Sequence, residues 1–107
     1  MNFEVELDDS TAAVVARVRG ELDIATTPTL RAAVEGIDAD RSVVIDLSPT
    51  TFIDSTACRY FVQLARRAAE AGRSIDFVCP ADNYEVWRVL DLLGLLDALG
   101  VQPTVGE

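Results

Sequence analysis

The chain has 107 residues, of which 9 are basic and 18 are acidic, so its formal net charge is −9. It contains no histidine, and every basic residue is an arginine. The lack of histidine excludes serine–histidine–aspartate catalysis, cysteine–histidine catalysis and imidazole metal sites. The acidic balance opposes binding to nucleic acid or to an anionic membrane surface. Half of the residues are apolar, and this length predicts a single domain over residues 1–107.

The start of the chain and its hydropathy pattern predict a cytoplasmic protein. The first six residues have neither the basic nor the apolar segment of a secretory signal. No window approaches the roughly 18 apolar residues of a transmembrane helix. The two cysteines, Cys58 and Cys79, are too few for a four-thiolate zinc site or a dense disulfide framework. We therefore expect reduced thiols, no bound metal, no cofactor and no membrane insertion.

The first 20 residues have the pattern of a β-hairpin. Apolar and acidic residues alternate over residues 3–8, as in a half-exposed edge strand. Residues 8–10 form a turn cluster, and residues 13–18 are mostly apolar and β-branched. The second strand of this hairpin is expected to end at Gly20.

A helix and a buried strand are predicted next. Thr27 is expected as the N-cap and Pro28 as the first helical residue, because these residue types favour those positions. The helix is expected to end within residues 36–40. Residues 42–47 are short and almost entirely apolar, which is typical of a strand covered on both faces. Residues 48–51 have the composition of a turn.

The junction at residues 52–57 is the most informative segment of the chain. Phe52 and Ile53 are expected to anchor it in the core, and the Asp-Ser-Thr sequence at 54–56 begins a second helix over about 55–71. The free N–H groups and the macrodipole at a helix start stabilise an anion, including a phosphate on a hydroxyl there. The same residue types are also what simple N-capping requires. From the residues alone, both interpretations stay open.

The last part of the chain predicts a strand and a third helix. Residues 75–78 read as the strand, and Asp82 with Glu85 resembles a capping box at the helix start. Residues 101–107 are expected to be a frayed tail. The order β-β-α-β-α-β-α predicts an α/β fold, with a small mixed sheet of the N-terminal hairpin plus parallel strands covered by three to four helices. The expected apolar stripe of the third helix is Val86, Leu90 and Leu93.

Two motifs resemble those of the STAS domain, the family of anti-sigma-factor antagonists. Residues 46–57 read D-L-S-P-T-T-F-I-D-S-T-A and are similar to the family signature D-L-S-x-V-x-F-I-D-S-[ST]-G. Residues 20–23, G-E-L-D, stand before a Thr-rich helix start and resemble the second motif of the family. The resemblance covers roughly residues 3–100 and implies a STAS-like fold.

The resemblance also implies a non-enzymatic protein switch. In the family, an anti-sigma factor of the serine/threonine kinase type phosphorylates the position that Thr56 occupies here, with Ser55 as the alternative. The unmodified antagonist binds the anti-sigma factor, the phosphorylated form is released, and a phosphatase resets it. The implied partner-binding surface comprises Asp23, Asp54, Ser55, Thr56, Ala57 and Arg59.

Three departures from the family pattern motivate other hypotheses. Ala57 replaces the usual glycine, Thr50 replaces an apolar residue, and Cys58 with Arg59 stands where Leu-Gly is common. One alternative is a STAS scaffold or adaptor subunit of a signalling or transport assembly that is never phosphorylated. Another is a thiol enzyme that uses Cys58 near a helix start. Because no basic partner or C-x-x-C pair supports the enzyme, we favour a small buried side chain and predict no catalytic residue.

Overall fold

The computed structural model describes residues 3–104. It confirms the predicted α/β fold, with an antiparallel N-terminal hairpin, further strands that pair in parallel, and four helices. In chain order, the elements are β1 Glu4–Asp8, β2 Val14–Leu22, α1 Thr27–Glu35, β3 Val43–Asp46, β4 Thr50–Ile53, α2 Ser55–Ala71, β5 Ile75–Val78, α3 Tyr84–Leu92 and α4 Leu95–Ala98.

Strand β2 organises the sheet. It pairs antiparallel with β1, and in parallel with β3 along residues 14–17 and with β4 along residues 20–22. Strand β3 pairs in parallel with β5. The register of β2 shifts between Gly20 and Glu21, and Gly20 has a φ of 98°, a left-handed value that glycine adopts without a Cβ penalty. The extra residue at this shift is Thr51 of β4, and β4 pairs with the end of β2 that β3 does not reach.

The pairing of β2 with β4 accounts for two differences from the expected boundaries. Strand β2 continues past Gly20 to Leu22, and residues 50–53 form β4 rather than a turn and a core anchor. The end of β2 offers backbone groups to a second parallel partner, which a local pattern does not reveal. Ile53 is 1% exposed, whereas Phe52 is 46% exposed. Only one of the two expected anchors is therefore buried.

Helix α1 begins with a different cap from the one predicted. Its N-cap is Thr26, Thr27 is the first helical residue, and neither position provides a side-chain cap hydrogen bond. The Thr26 hydroxyl instead accepts a hydrogen bond from the N–H of Asp23 at 2.9 Å, so the preceding loop uses it. The Thr27 side chain is buried, and its hydroxyl has no partner within residues 3–104.

The expected capping box at the third helix is also wrong. The N-cap of α3 is Asn83, and no side-chain cap hydrogen bond forms there. Val86 and Leu90 are fully buried as predicted, but Leu93 lies beyond the end of α3 and is 55% exposed. The short helix α4 follows, and its first residue Leu95 rejoins the core.

The C-terminal segment is ordered further than the sequence suggests. Gln102 forms a parallel bridge with Val78. Its N–H donates to the Phe77 carbonyl oxygen at 2.9 Å, and its own carbonyl oxygen accepts from the Cys79 N–H at 2.8 Å. The expectation of a frayed tail is therefore wrong at residues 101–102, because the edge of β5 binds them. Residues 105–107 lie outside the described part of the chain.

The core lies between the sheet and the helices. Phe61 of α2 and Phe77 of β5 are buried, with ring centroids 5.3 Å apart. All four residues of β3 are buried, which agrees with a strand covered on both faces. Helix α2 ends, as predicted, at Gly72, whose φ of 70° is left-handed. Among residues 3–104, no helix has both the length and the apolar character needed to cross a membrane.

Candidate functional site

The two motif segments meet where β2 and β4 end side by side. Leu22 and Ile53 are paired residues of these parallel strands, and Asp23 and Asp54 follow them directly. The Asp54 N–H donates to the Leu22 carbonyl oxygen at 3.2 Å, which extends the pairing by one residue. The carboxyl ends of parallel strands share one edge of the sheet, so this topology brings together segments that are distant in sequence.

Asp54 connects both segments through its carboxylate. Its Oδ1 accepts from the Ala57 N–H at 3.0 Å, which caps α2, and its Oδ2 accepts from the Ile24 N–H at 3.0 Å. Its carbonyl oxygen accepts the first hydrogen bond of α2 from the Cys58 N–H at 3.1 Å. One side chain therefore starts the helix and fixes the loop between β2 and α1.

Asp23 shapes its own loop. Its Oδ1 accepts from the N–H groups of Ala25 and Thr26, at 3.0 and 3.1 Å. The Thr26 hydroxyl lies 2.8 Å from the Glu21 carbonyl oxygen, which closes the loop on the end of β2. The loop holds Ile24 at its tip, where the side chain is 72% exposed. The Asp23 carboxylate therefore acts first as a loop-forming group beside the α2 start.

Ser55 and Thr56 are the first two residues of α2. Ser55 is exposed and Thr56 is partly exposed. Within residues 3–104, neither hydroxyl makes a hydrogen bond, and the two backbone N–H groups have no acceptor. Two unpaired N–H donors at the positive end of a 17-residue helix can stabilise an anion attached to either hydroxyl.

The structure accommodates two of the departures from the family signature. Ala57 is 0% exposed, and its side chain belongs to the main core cluster. Thr50 is 2% exposed, and its hydroxyl donates to the Val18 carbonyl oxygen at 2.6 Å, so the buried polar atom is satisfied. Arg59, one turn beyond the start of α2, is exposed and forms no salt bridge within the described residues.

The D-L-S portion of the signature is structural in this chain. Asp46 is 4% exposed, and its Oδ1 accepts from the Ser48 N–H at 3.0 Å and from the Ser48 hydroxyl at 2.6 Å. Its Oδ2 lies 3.5 Å from Nε of Arg17 on the neighbouring β2 strand. These contacts satisfy a buried carboxylate and shape the connection between β3 and β4.

Asn83 helps to position the β3–β4 connection, a role that was not predicted from the sequence. Its Nδ2 donates to the carbonyl oxygens of Leu47 at 3.0 Å and Thr50 at 2.8 Å. It therefore holds the β3–β4 connection against the start of α3. The acceptors lie 36 and 33 residues earlier, so the only local signal was an Asn directly before an amphipathic helix.

The structure does not support a thiol or metal centre in residues 3–104. Cys58 is 4% exposed, and burial, with a smaller effect of the Asp54 carboxylate, raises its pKa to about 11. This shift is opposite to the lowered pKa that a nucleophilic cysteine needs. In the described part of the chain, no three cysteine or carboxylate side chains are grouped so that they could hold a metal ion.

Comparison with known proteins assigns the family. The model of the STAS domain family matches residues 2–107 of this chain. The chain belongs to the STAS domain family. This STAS domain is 26% identical over 110 residues to the anti-sigma-B factor antagonist of Listeria monocytogenes, covering 100% of this chain and 95% of the relative. It is 24% identical over 103 residues to the anti-sigma-B factor antagonist of Staphylococcus aureus, covering 94% of each chain.

A solved structure shares the fold of this STAS domain. The crystal structure of an anti-sigma factor antagonist from Mycobacterium paratuberculosis superposes with a TM-score of 0.84. The match covers 97% of this chain and 88% of that chain, at 24% sequence identity. At this identity the agreement shows the common fold.

Proposed function

We propose that this STAS domain is a non-enzymatic antagonist of an anti-sigma factor, switched by phosphorylation at Thr56 or alternatively at Ser55. The observation that carries the proposal is the start of α2, where two hydroxyls and two N–H groups have no partner within residues 3–104. The full-length similarity to anti-sigma-B factor antagonists supports it. The proposed place of action is the cytoplasm.

The unmodified surface presents chemistry suited to a protein partner. Ile24 is largely exposed at the tip of the β2–α1 loop, and the Asp54 hydrogen bond to its N–H keeps that loop beside α2. Arg59 adds a cation that has no salt-bridge partner among residues 3–104 and lies close to the site. We propose that an anti-sigma factor of the serine/threonine kinase type binds this surface, formed by Asp23 and residues 54–57 and 59.

Phosphorylation would change the surface mainly through charge. A phosphate on Thr56 adds about 1.5 to 2 negative charges. The free N–H groups of Ser55 and Thr56 would stabilise this anion in place. The nearby Asp54 carboxylate already accepts two hydrogen bonds, so it remains a fixed negative neighbour. The increased charge would disfavour an acidic or apolar partner surface and release the complex, and a phosphatase would then reset the switch.

The site of modification is tested directly. The protein is incubated with ATP and an anti-sigma factor of the serine/threonine kinase type, and the products are measured by intact mass and by peptide mapping. A single phosphate on Thr56 or Ser55 is expected. The Thr56→Ala and Ser55→Ala variants separate the two positions. No phosphate, or phosphate only outside residues 55–56, would contradict the switch.

The effect on binding is tested with three variants of one residue. Thr56→Ala should bind the anti-sigma factor constitutively, and Thr56→Glu should bind at least about tenfold more weakly, a difference of about 1.4 kcal/mol. The uncharged isostere Thr56→Gln serves as the control for side-chain size and should bind like Thr56→Ala. If Thr56→Glu and Thr56→Gln bound the anti-sigma factor with equal affinity, a switch based on negative charge at Thr56 would be contradicted.

A second candidate function is a STAS scaffold or adaptor that is never phosphorylated. It is favoured by the buried Ala57 methyl at the position of the signature glycine and by the Arg59 cation beside the site. In this case the chain forms a stable complex whose affinity is unchanged by every substitution at Thr56. The binding series above therefore distinguishes the two functions.

A further inference from the structure

A cavity of about 210 Å³ lies between the C-terminal end of α1, the part of α2 from residue 60 onward and the start of β5. Its walls are mainly apolar, and a few polar groups stand among them, as in small-molecule sites. An apolar cavity of roughly 150 Å³ admits benzene, so this one has room for a ring with a short side arm. The apolar lining residues include Val34, Leu64, Ala68, Ala71 and Ile75.

The charged groups at the cavity are predominantly cationic. Arg67 and Arg73 both line it, against one carboxylate, Glu35. Arg73 is held in position because its guanidinium donates to the carbonyl oxygens of Arg41 at 2.9 Å and Asp38 at 3.1 Å. Arg67 makes no salt bridge within residues 3–104. The cavity wall is therefore net positive, although the whole protein has a net charge of −9.

Tyr60 provides a hydrogen-bonding group in the cavity wall. Its side chain is 4% exposed, and its hydroxyl makes no hydrogen bond within the described residues. Burial raises the pKa of Tyr60 to about 12, so the hydroxyl keeps its proton at neutral pH and can donate it. The Arg31 guanidinium, which is not part of the cavity wall, packs over the Tyr60 ring with Cζ 4.5 Å from the ring centroid.

The cavity and the proposed switch use different residues of α2. Arg67 follows Thr56 by eleven residues, about 16 Å along the helix axis, whereas Tyr60 at the near end of the cavity follows it by four residues, about 6 Å. None of the residues that line the cavity belongs to the partner-binding surface at the start of α2.

We propose that this cavity binds a small amphipathic carboxylate, whose apolar body fills the space beside Leu64 and Ala68 and whose carboxylate pairs with Arg67. The guanidinium of Arg67 offers paired N–H donors that match a carboxylate. The Tyr60 hydroxyl supplies one further donor. Glu35 at the same cavity disfavours a second negative charge on the ligand, so a monoanion is favoured over a dianion.

The proposal is tested with 3-phenylpropionate as the probe and isotope-labelled protein observed by NMR. Saturable amide shifts are expected at residues 60, 64, 67 and 68, with a dissociation constant of about 1 mM or tighter, as suits a ligand of this size. Shifts confined to the start of α2, or no saturable shift, would overturn the proposal.

Two controls isolate the charge and the position. The neutral amide 3-phenylpropanamide should bind at least about tenfold more weakly, and equal binding would overturn the carboxylate assignment. Arg67→Gln should weaken binding of the acid to a similar degree, whereas Arg66→Gln, at the adjacent exposed position, should not. Equal effects of the two substitutions would show a general charge effect and overturn the site. Melting temperatures of both variants verify that the fold is retained.

Discussion

Asp54 Oδ2 lies 3.0 Å from the backbone nitrogen of Ile24, from which it accepts a hydrogen bond across 30 residues of sequence. The other oxygen of the same carboxylate caps α2 through the Ala57 N–H. The start of α2 and the exposed tip of the β2–α1 loop are therefore positioned by one side chain. A change at Asp54 affects both segments together.

Substitution of Asp54 separates these two contributions. Asp54→Ala removes the cap and the loop contact, and should lower the free energy of unfolding by about 2 kcal/mol. Asp54→Asn keeps a cap acceptor, because asparagine is an equally good N-cap, but has no second oxygen for the Ile24 N–H. It should cost about 1 kcal/mol. Urea denaturation of the two variants and the parent measures both values, and a cost of Asp54→Ala no greater than that of Asp54→Asn would contradict the dual role.

Asn83 is expected to contribute to the stability of the fold, although its side chain makes no cap hydrogen bond to α3. Asn83→Ala removes the side-chain hydrogen bonds to the carbonyl oxygens of Leu47, which keeps the Thr50 N–H as a donor, and of Thr50, and should cost about 2 kcal/mol. Asn83→Asp should cost more at neutral pH, because it places a carboxylate against the same carbonyl oxygens. The exposed neighbour Asp82 provides the control, since Asp82→Ala should change stability by about 0.5 kcal/mol or less. If Asp82→Ala lowered the denaturant midpoint as much as Asn83→Ala, the stabilising role of the Asn83 side chain would be contradicted.

Restoring the signature glycine should destabilise this chain. Ala57→Gly loses about 1 kcal/mol of helix propensity and about 0.8 kcal/mol from the buried methyl group. Ala69→Gly, at an exposed position of the same helix, should lose the propensity alone. Thermal unfolding of both variants compares them. A smaller loss for Ala57→Gly than for Ala69→Gly would mean that the buried methyl contributes nothing.

The two buried cysteines predict a loss of stability in alkali. Burial raises the pKa of Cys58 and of Cys79 to about 11, above their values in the unfolded chain. The unfolded chain therefore releases these protons first, so stability is complete below about pH 9 and falls as the pH rises towards 11. Denaturation at stepped pH should show this slope, and Cys58→Ala/Cys79→Ala should reduce it.

The pH dependence of stability of the parent and the cysteine variant is best compared below about pH 10. Burial also raises the pKa of Tyr60 to about 12, so above that pH the ionisation of Tyr60 in the unfolded chain lowers stability as well. Iodoacetamide gives an independent measurement at neutral pH. It should alkylate the folded protein more slowly than the urea-unfolded protein, since little thiolate is present and both side chains are buried. Equal rates would contradict the burial of these thiols.

Local patterns predicted the features that depend on neighbouring residues. The start of α2 among the cap-type residues 54–56, the extent of α2 and its end at Gly72 follow from helix signals within a few residues. The buried strand β3 follows from a short apolar run. These features place the start of α2 correctly, and with it the position of Thr56.

The features that were missed depend on distant partners. Strand β4 pairs with the end of β2 through a register shift, with Thr51 of β4 as the extra residue, and this shift is recognised only once the pairing is known. The role of Asn83 depends on carbonyl groups more than 30 residues earlier. The Thr26 hydroxyl was available as a cap, but the Asp23 loop uses it. In the first two cases a partner distant in sequence overrides the local preference, whereas the Thr26 hydroxyl bonds within its own loop.

Only one residue, Asp54, separates the last residue of β4 from the first residue of α2. The chain around Thr56 therefore has no flexible loop that could enter the active-site cleft of a modifying enzyme in an extended conformation. An enzyme that modifies Thr56 must recognise the folded corner itself, including the neighbouring β2–α1 loop. A synthetic peptide with the sequence of residues 50–60 would be a poorer substrate than the folded protein. The selectivity of the reaction would depend on the three-dimensional surface and not on the local amino-acid sequence alone.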